Sequence, residues 1–215
     1  MYSRISGDWL AERYSAHYLS IFPNDLQALQ QWNWLGFGMF AVDALRVLDP
    51  IPAGDISVHI RRAGPQDIEQ VMALQDELWE YIKNPPIFIL SERYDRKYYE
   101  AWLQDPDRVV WLACSQDEPL AFMRIGPAAE DVCTIIIDEK TTSIYAAFTR
   151  EQARRGGIAT ALLAHALEFA CACGYQRCAV PFEPMNPLGS RFWLRYFQPV
   201  CYSFLRNIDE RLTQK

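Results

Sequence analysis

The chain has 215 residues, half of them hydrophobic and 22% charged, with a net charge of -6 at neutral pH. That length can bury a full core as one domain with an appendage, and the acidic balance argues against nucleic acid or an anionic membrane as partner. No run of about 18 apolar residues offers a bilayer span, and the first eight residues carry charges without the apolar segment of a secretory signal, so a soluble cytoplasmic protein is expected.

In chain order, residues 14–22 read as a strand, 25–35 as a helix and 37–47 as a strand. Residues 50–56, with Pro50, Pro52 and Gly54 between charged ends, mark a linker. After it, residues 57–62 alternate as a strand. Gly64, Pro65 and Asp67 then supply a helix start, with proline in the first turn and an acid near the N-terminus. Ile68, Val71, Met72, Leu78, Trp79 and Ile82 share one face of that helix, and Asn84-Pro85-Pro86 ends it. A second helix is expected over 95–103, then a hairpin of strands 109–114 and 120–125. A strand over 132–137, an acidic turn over 138–140 and a strand over 144–149 follow. Next come a helix from Ile158 stopped by Gly174, a strand over 178–182, a helix over 188–197 and a strand over 200–208. Cys114, Cys133, Cys171, Cys173, Cys178 and Cys201 form no C-x-x-C pair, and no histidine stands at ligand spacing. They read as buried thiols in a reducing compartment, and no metal site is expected.

The turn Arg154, Arg155, Gly156, Gly157, Ile158, Ala159 and Thr160 lies where a strand gives way to a helix, so unpaired backbone N–H groups converge there. Glycine lets that backbone approach a phosphate closely, and arginine adds charge-assisted hydrogen bonds, with Arg150 nearby. A P-loop needs a Gly-Lys-Ser/Thr ending and a dinucleotide fingerprint needs three spaced glycines; this turn has neither. It reads as a diphosphate cradle of another kind.

Arg154-x-x-Gly157-x-Ala159 resembles the coenzyme A pyrophosphate loop of the GNAT acyltransferase superfamily. A second motif, Asn186-x-x-Gly189-x-x-Phe192-Trp193, is near the family's late-helix pattern Asn-x-x-Ala-x-x-Phe-Tyr, and the order of elements over about 58–209 is the family's order. The resemblance implies an α/β fold, a mixed and largely antiparallel sheet flanked by helices. Within the first fifty residues, Asp25-x-x-Ala28-x-x-x-Trp32-x-x-Leu35-Gly36-Phe37 echoes the late-helix motif. Residues 1–49 are therefore read as a truncated GNAT-like strand-helix-strand unit, residues 50–56 as a linker and residues 57–215 as the GNAT domain. A plain helical extension is the alternative. Bare strand edges require the fragment to dock on the C-terminal domain or on another subunit, which would make a homodimer.

The resemblance further implies acetyl-CoA as co-substrate and direct attack of an amine, from a small molecule or a protein, on the thioester. Phe148 and Thr149 would pair with the pantetheine arm. N–H groups of Arg155, Gly156, Gly157, Ile158, Ala159 and Thr160 would hold the pyrophosphate, with Arg154 adding charge, and Asn186 would reach the cofactor. The family's acid position holds Trp193, and indole is no acid near neutral pH, so Tyr196 one turn later is the substitute candidate. Glu183, between Pro181 and Pro184 at a strand end, is the first candidate base. Glu139 and Glu92 are alternatives, His59 and His165 poor ones. Tyr94, Tyr98, Tyr99 and Trp102 stand where the family shapes its acceptor pocket, and the acidic chain mildly favours a cationic acceptor. A non-catalytic acyl-CoA-binding module stays open beside the enzyme.

Overall fold

The structure, a computed structural model, describes residues 1–54, 56–129 and 132–213. Asp55 of the expected linker, and four residues of the expected C-terminal domain, lie outside the described residues. The elements are α1 (Tyr2–Ala11), β1 (Ala16–Ile21), α2 (Leu26–Trp34), β2 (Gly38–Val47), β3 (His59–Arg62), α3 (Ile68–Lys83), α4 (Arg96–Gln104), β4 (Val109–Ser115), β5 (Glu118–Pro127), β6 (Thr141–Thr149), α5 (Ile158–Ala172), β7 (Arg177–Phe182), α6 (Pro187–Tyr196) and β8 (Gln198–Asn207). The strands form one sheet in the order β1-β8-β2-β7-β6-β5-β4-β3. Every neighbouring pair is antiparallel except β6 and β7, which run parallel.

Alternating side chains send each strand's apolar residues to both faces. Val71, Leu74, Tyr99 and Trp102 of α3 and α4 pack on Val110, Leu112 and Phe122 on one face. On the other, Ile158, Leu162, Leu163 and Ala166 of α5 pack on Met123, Ile125, Ile144 and Val180. Among the described residues no helix is long and apolar enough to cross a membrane.

Two expectations fail here. Residues 132–137 form no strand: Cys133 and Ile136, three apart, tuck under the sheet beside Ala179, and the Thr134 N–H donates to the buried carboxylate of Asp43 at 2.7 Å. The apolar run of that segment is satisfied by a loop laid over an apolar face. Cys171 and Cys173, at the end of α5, are exposed rather than buried. Helix α1 was not foreseen; Tyr2 packs edge-on against Trp9, His17, Trp32 and Phe37.

The N-terminal segment enters the sheet rather than leaning on it, because β2 lies between β7 and β8 while β8 lies between β1 and β2. The pairings repeat about a pseudo-two-fold axis. Residues 16–21 of β1 pair with β8 as residues 177–182 of β7 pair with β2. Between β2 and β8, Gly38 pairs with Leu205 and Leu45 with Gln198, and both flanking bulges are mirrored about the central pair Val42 and Tyr202. The helix caps repeat too: Asp25 accepts from the Ala28 N–H at 2.9 Å, and Asn186 from the Gly189 N–H at 3.1 Å. Trp32 meets Phe37 edge-on at 5.1 Å, and Trp193 meets Phe197 edge-on at 5.7 Å.

Candidate active site

Strands β6 and β7 pair only at Thr141, Thr142 and Ser143 with Arg177, Cys178 and Ala179, and then diverge. Beyond Ser143, β6 keeps β5 on one edge and, among the described residues, has no strand on the other. Residues 144–149 thus expose about 17 Å of backbone edge to the gap. A cavity of about 810 Å³ opens there, lined on one side by Phe148, Thr149 and the Arg154 turn and on the other by Val180, Glu183 and Asn186. That volume suits a ligand of coenzyme size.

The turn has the makings of an anion site. Gly157 caps α5 in the left-handed region at φ +79°, a conformation that favours glycine, and it offers no side-chain cap. The first helical bond runs from the Ala161 N–H to the Gly157 carbonyl. Among the described residues the N–H groups of Arg155 through Thr160 therefore have no internal acceptor. Arg155 is exposed, with φ +68°. Gly156 has ordinary dihedrals, and a β-carbon on it would meet nothing closer than 3.8 Å. Arg154 folds inward: its Nε donates to the Thr149 carbonyl at 2.9 Å, and its guanidinium lies 4.9 Å over Tyr81 and 5.8 Å over Phe148. Arg150 is engaged elsewhere, bridging Glu77 and Glu118 at 2.7 Å each.

Asn186 both caps α6 and lines the cavity, and its Oδ1 also accepts from the Tyr81 hydroxyl at 3.0 Å. A β-carbon on Gly189 would stand 2.9 Å from the Asn186 Nδ2, so the glycine there gives the folded-back amide its room. Glu183 follows the end of β7 in the cavity wall, and burial pushes its carboxyl above the usual carboxylate range, offset in part by its own backbone N–H. Its raised affinity for a proton makes it a stronger base than an ordinary carboxylate.

Of the other candidates, Tyr196 is not among the cavity-lining residues; its hydroxyl shares a hydrogen bond of 3.0 Å with Thr160 Oγ1. Trp193 reaches the cavity wall but is largely buried against Phe192 and Phe197. Glu92, Tyr94 and Tyr98 line the cavity's far end, whereas Tyr99 and Trp102 belong to the core beneath α3 and α4. Glu139 is exposed in a turn away from the cavity lining, His59 is exposed on the edge strand β3, and His165 bonds the Ala161 carbonyl within α5. Sequence reasoning missed Tyr81, Gln75 and Arg124, all in the lining. The period of α3 held a signal for Gln75, a polar residue in the middle of the apolar face formed by Val71, Met72, Leu78 and Trp79, but none for Tyr81, which lies off that face.

A family model described as the acetyltransferase (GNAT) family matches residues 70–193. Among solved structures, a GCN5-related N-acetyltransferase from Sphaerobacter thermophilus matches with TM-score 0.64 at 15% identity, covering 95% of this chain and 66% of that one. A conserved protein of unknown function from Staphylococcus epidermidis matches with TM-score 0.55 at 14% identity, covering 97% of this chain and 79% of that one. An aminoglycoside N-acetyltransferase in complex with CoA matches with TM-score 0.51 at 15% identity, covering 64% of this chain and 88% of that one. Comparison with curated proteins finds no match. The similar structures share the mixed sheet flanked by helices.

Proposed function

Because the chain belongs to the GNAT acetyltransferase family, we propose that it transfers an acetyl group from acetyl-CoA to an amine of a small molecule or a protein by direct attack. The observation that carries this reading is the turn from Arg154 to Thr160, whose unaccepted N–H groups open onto the gap between β6 and β7 with Glu183 on the opposite wall. Acetyl-CoA supplies the activated acyl group. The N–H groups of Arg155, Gly156, Gly157, Ile158, Ala159 and Thr160 take the diphosphate, and Arg154 adds charge beside it. The free edge of β6 at Phe148 and Thr149 offers backbone partners to an extended arm, as a missing strand would use. The CoA-bound neighbour supports this ligand.

Glu183 removes the proton that the attacking amine must lose. For the departing thiolate, Tyr196 is held by Thr160 outside the lining, and Tyr81 is the tyrosine hydroxyl bonded at the start of α6. Tyr81 is raised by burial, with Arg154 opposing, so it acts as a hydrogen-bond donor rather than a ready acid. A second reading, a non-catalytic acyl-CoA-binding module, rests on Trp193, which repeats the packing of Trp32 instead of offering a hydroxyl. By the same repeat, residues 1–49 are proposed to be the trailing strand-helix-strand part of a second unit of the same family.

Both readings predict CoA binding, and only the first predicts release of free thiol from acetyl-CoA when amines are supplied. Turnover across polyamines, aminoglycosides, amino acids and peptides establishes the enzyme, and its absence with CoA bound establishes the module. Unchanged CoA affinity by calorimetry in Arg154→Ala with Gly157→Asp would show the ligand site to be misassigned.

A further inference from the structure

Arg124 lies in the middle of β5, paired opposite Ala146, on the face covered by α3 and α4. It is 4% exposed, yet it lines the cavity. Its Nε and Nη1 are sealed from solvent without a hydrogen-bond partner, and among the described residues no carboxylate pairs with it. That leaves Nη2 as the nitrogen open to the cavity. The guanidinium lies over three aromatic rings, 4.5 Å from Trp102 and 5.6 Å from both Tyr98 and Tyr99. Such rings return part of the lost hydration but supply no counter-charge. A buried cation without a partner is costly, and an apolar side chain of the same length would fill the space at less expense to the fold.

We propose that Arg124 anchors a carboxylate carried by the acyl acceptor, so that the acceptor class is an amine that also bears a carboxylate, as amino acids and short peptides do. The inference rests on the acyl-transfer reading above and names the substrate class of the same site. A lone guanidinium matches a monoanion; a phosphate dianion would call for further cations, and Arg154 and Arg155 are committed to the turn. Gln75 lines the same cavity from α3, 4% exposed, with its Oε1 buried and unpartnered. It offers an acceptor for an N–H of the same molecule. The stacked rings of Tyr94 and Tyr98, 3.9 Å apart, cover the apolar part. Although the chain carries a net charge of -6, among the described residues the cavity wall holds only the acids Glu92 and Glu183 against Arg124, Arg154, Arg155 and Arg195. The charge balance of the whole chain points to a cationic acceptor; the lining reverses that expectation.

The test compares each α-, β- and ω-amino acid, and a set of dipeptides, with its own amide and its decarboxylated amine. Binding to CoA-saturated protein is measured by calorimetry, and acetylation by thiol release. At least one carboxylate-bearing amine is expected to exceed its amide by roughly 10- to 100-fold in kcat/KM, the range of a hydrogen bond to a charged group. Arg124→Met should bring the two together, and Arg124→Lys should restore part of the preference. Arg124→Met should also keep CoA affinity and melt no lower than the parent, which a purely structural role would not allow. If no carboxylate-bearing amine outperforms its amide, or if Arg124→Met keeps the preference, the proposal is overturned while the acyl-transfer reading survives. Failure of the parent protein to bind CoA removes both.

Discussion

Replacing Glu183 by glutamine separates the catalytic use of this carboxyl from its effect on stability. Glu183 meets no cation at ion-pair distance among the described residues, and burial outweighs the hydrogen bond from its own N–H. Its folded-state pKa therefore lies above the unfolded value of about 4.3. For a group raised in the fold, the stabilising contribution is complete below the unfolded value and is lost as pH rises through the folded one. At neutral pH the ionised side chain thus weighs against the fold. Glutamine keeps the shape and never ionises, so Glu183→Gln should match the parent near pH 4 and be more stable at pH 8. Each tenfold displacement of the ionisation constant is worth about 1.4 kcal/mol, or about 3–5 °C in a chain of this length. Activity should move the other way, with kcat/KM falling by about 10²- to 10⁴-fold, the usual contribution of a positioned base. The acid limb of the parent's pH profile, displaced above the ordinary glutamate range, should vanish in the variant. Calorimetric melts across pH and thiol release at saturating acetyl-CoA supply both readouts. Retention of kcat/KM within threefold, or a stability difference equal at pH 4 and pH 8, would refute the assignment.

Tyr196→Phe should keep kcat and lose only about 0.5–1.5 kcal/mol of stability, because its hydroxyl is spent on Thr160; a hundredfold fall in kcat would instead return it to the role of acid. Tyr81→Phe should weaken CoA binding several-fold in calorimetry by freeing Asn186, whose Oδ1 its hydroxyl now holds. Asp43→Ala should lower the melting temperature, leaving the Thr134 N–H without its acceptor at a cost of about 1–3 kcal/mol. Deletion of residues 1–49 should yield insoluble chain in expression trials, since it strips β8 of both neighbours and leaves β7 with three paired residues; a soluble, cooperatively melting product would show the segment to be an accessory.

What could be read from the sequence is what the chain builds locally. The turn proposed to hold the diphosphate needs only a strand end, a left-handed Gly157 and the start of α5, all within a few residues, so its signature survives in one dimension. The same holds for the caps at Asp25 and Asn186, and the repeat they announce places β1, α2 and β2 close to their expected positions. Local signals fail where the partner is remote. The insertion of β2 between β7 and β8 is a matter of register between segments well over a hundred residues apart, and no propensity in either strand encodes it. Residues 132–137 are apolar and β-branched enough to read as a strand, but the edge of β7 is already filled by β2, and the segment folds over the face as a loop.

Tyr196 shows the same limit within a single helix. Its spacing from Trp193 places it one turn on, but the side chain goes to Thr160 because α5 begins beside it, a fact of packing rather than of period. Trp193 then has a physical explanation that the family pattern lacks. Its counterpart Trp32 makes the same edge-on contact with Phe37 in the other strand-helix-strand unit. A side chain that recurs with its packing partner in both units is held there by the packing of the strand-helix-strand unit itself. The indole therefore closes the core beneath α6, and the polar groups proposed to act in the cavity, Glu183, Tyr81 and Arg124, reach it from three other places in the chain.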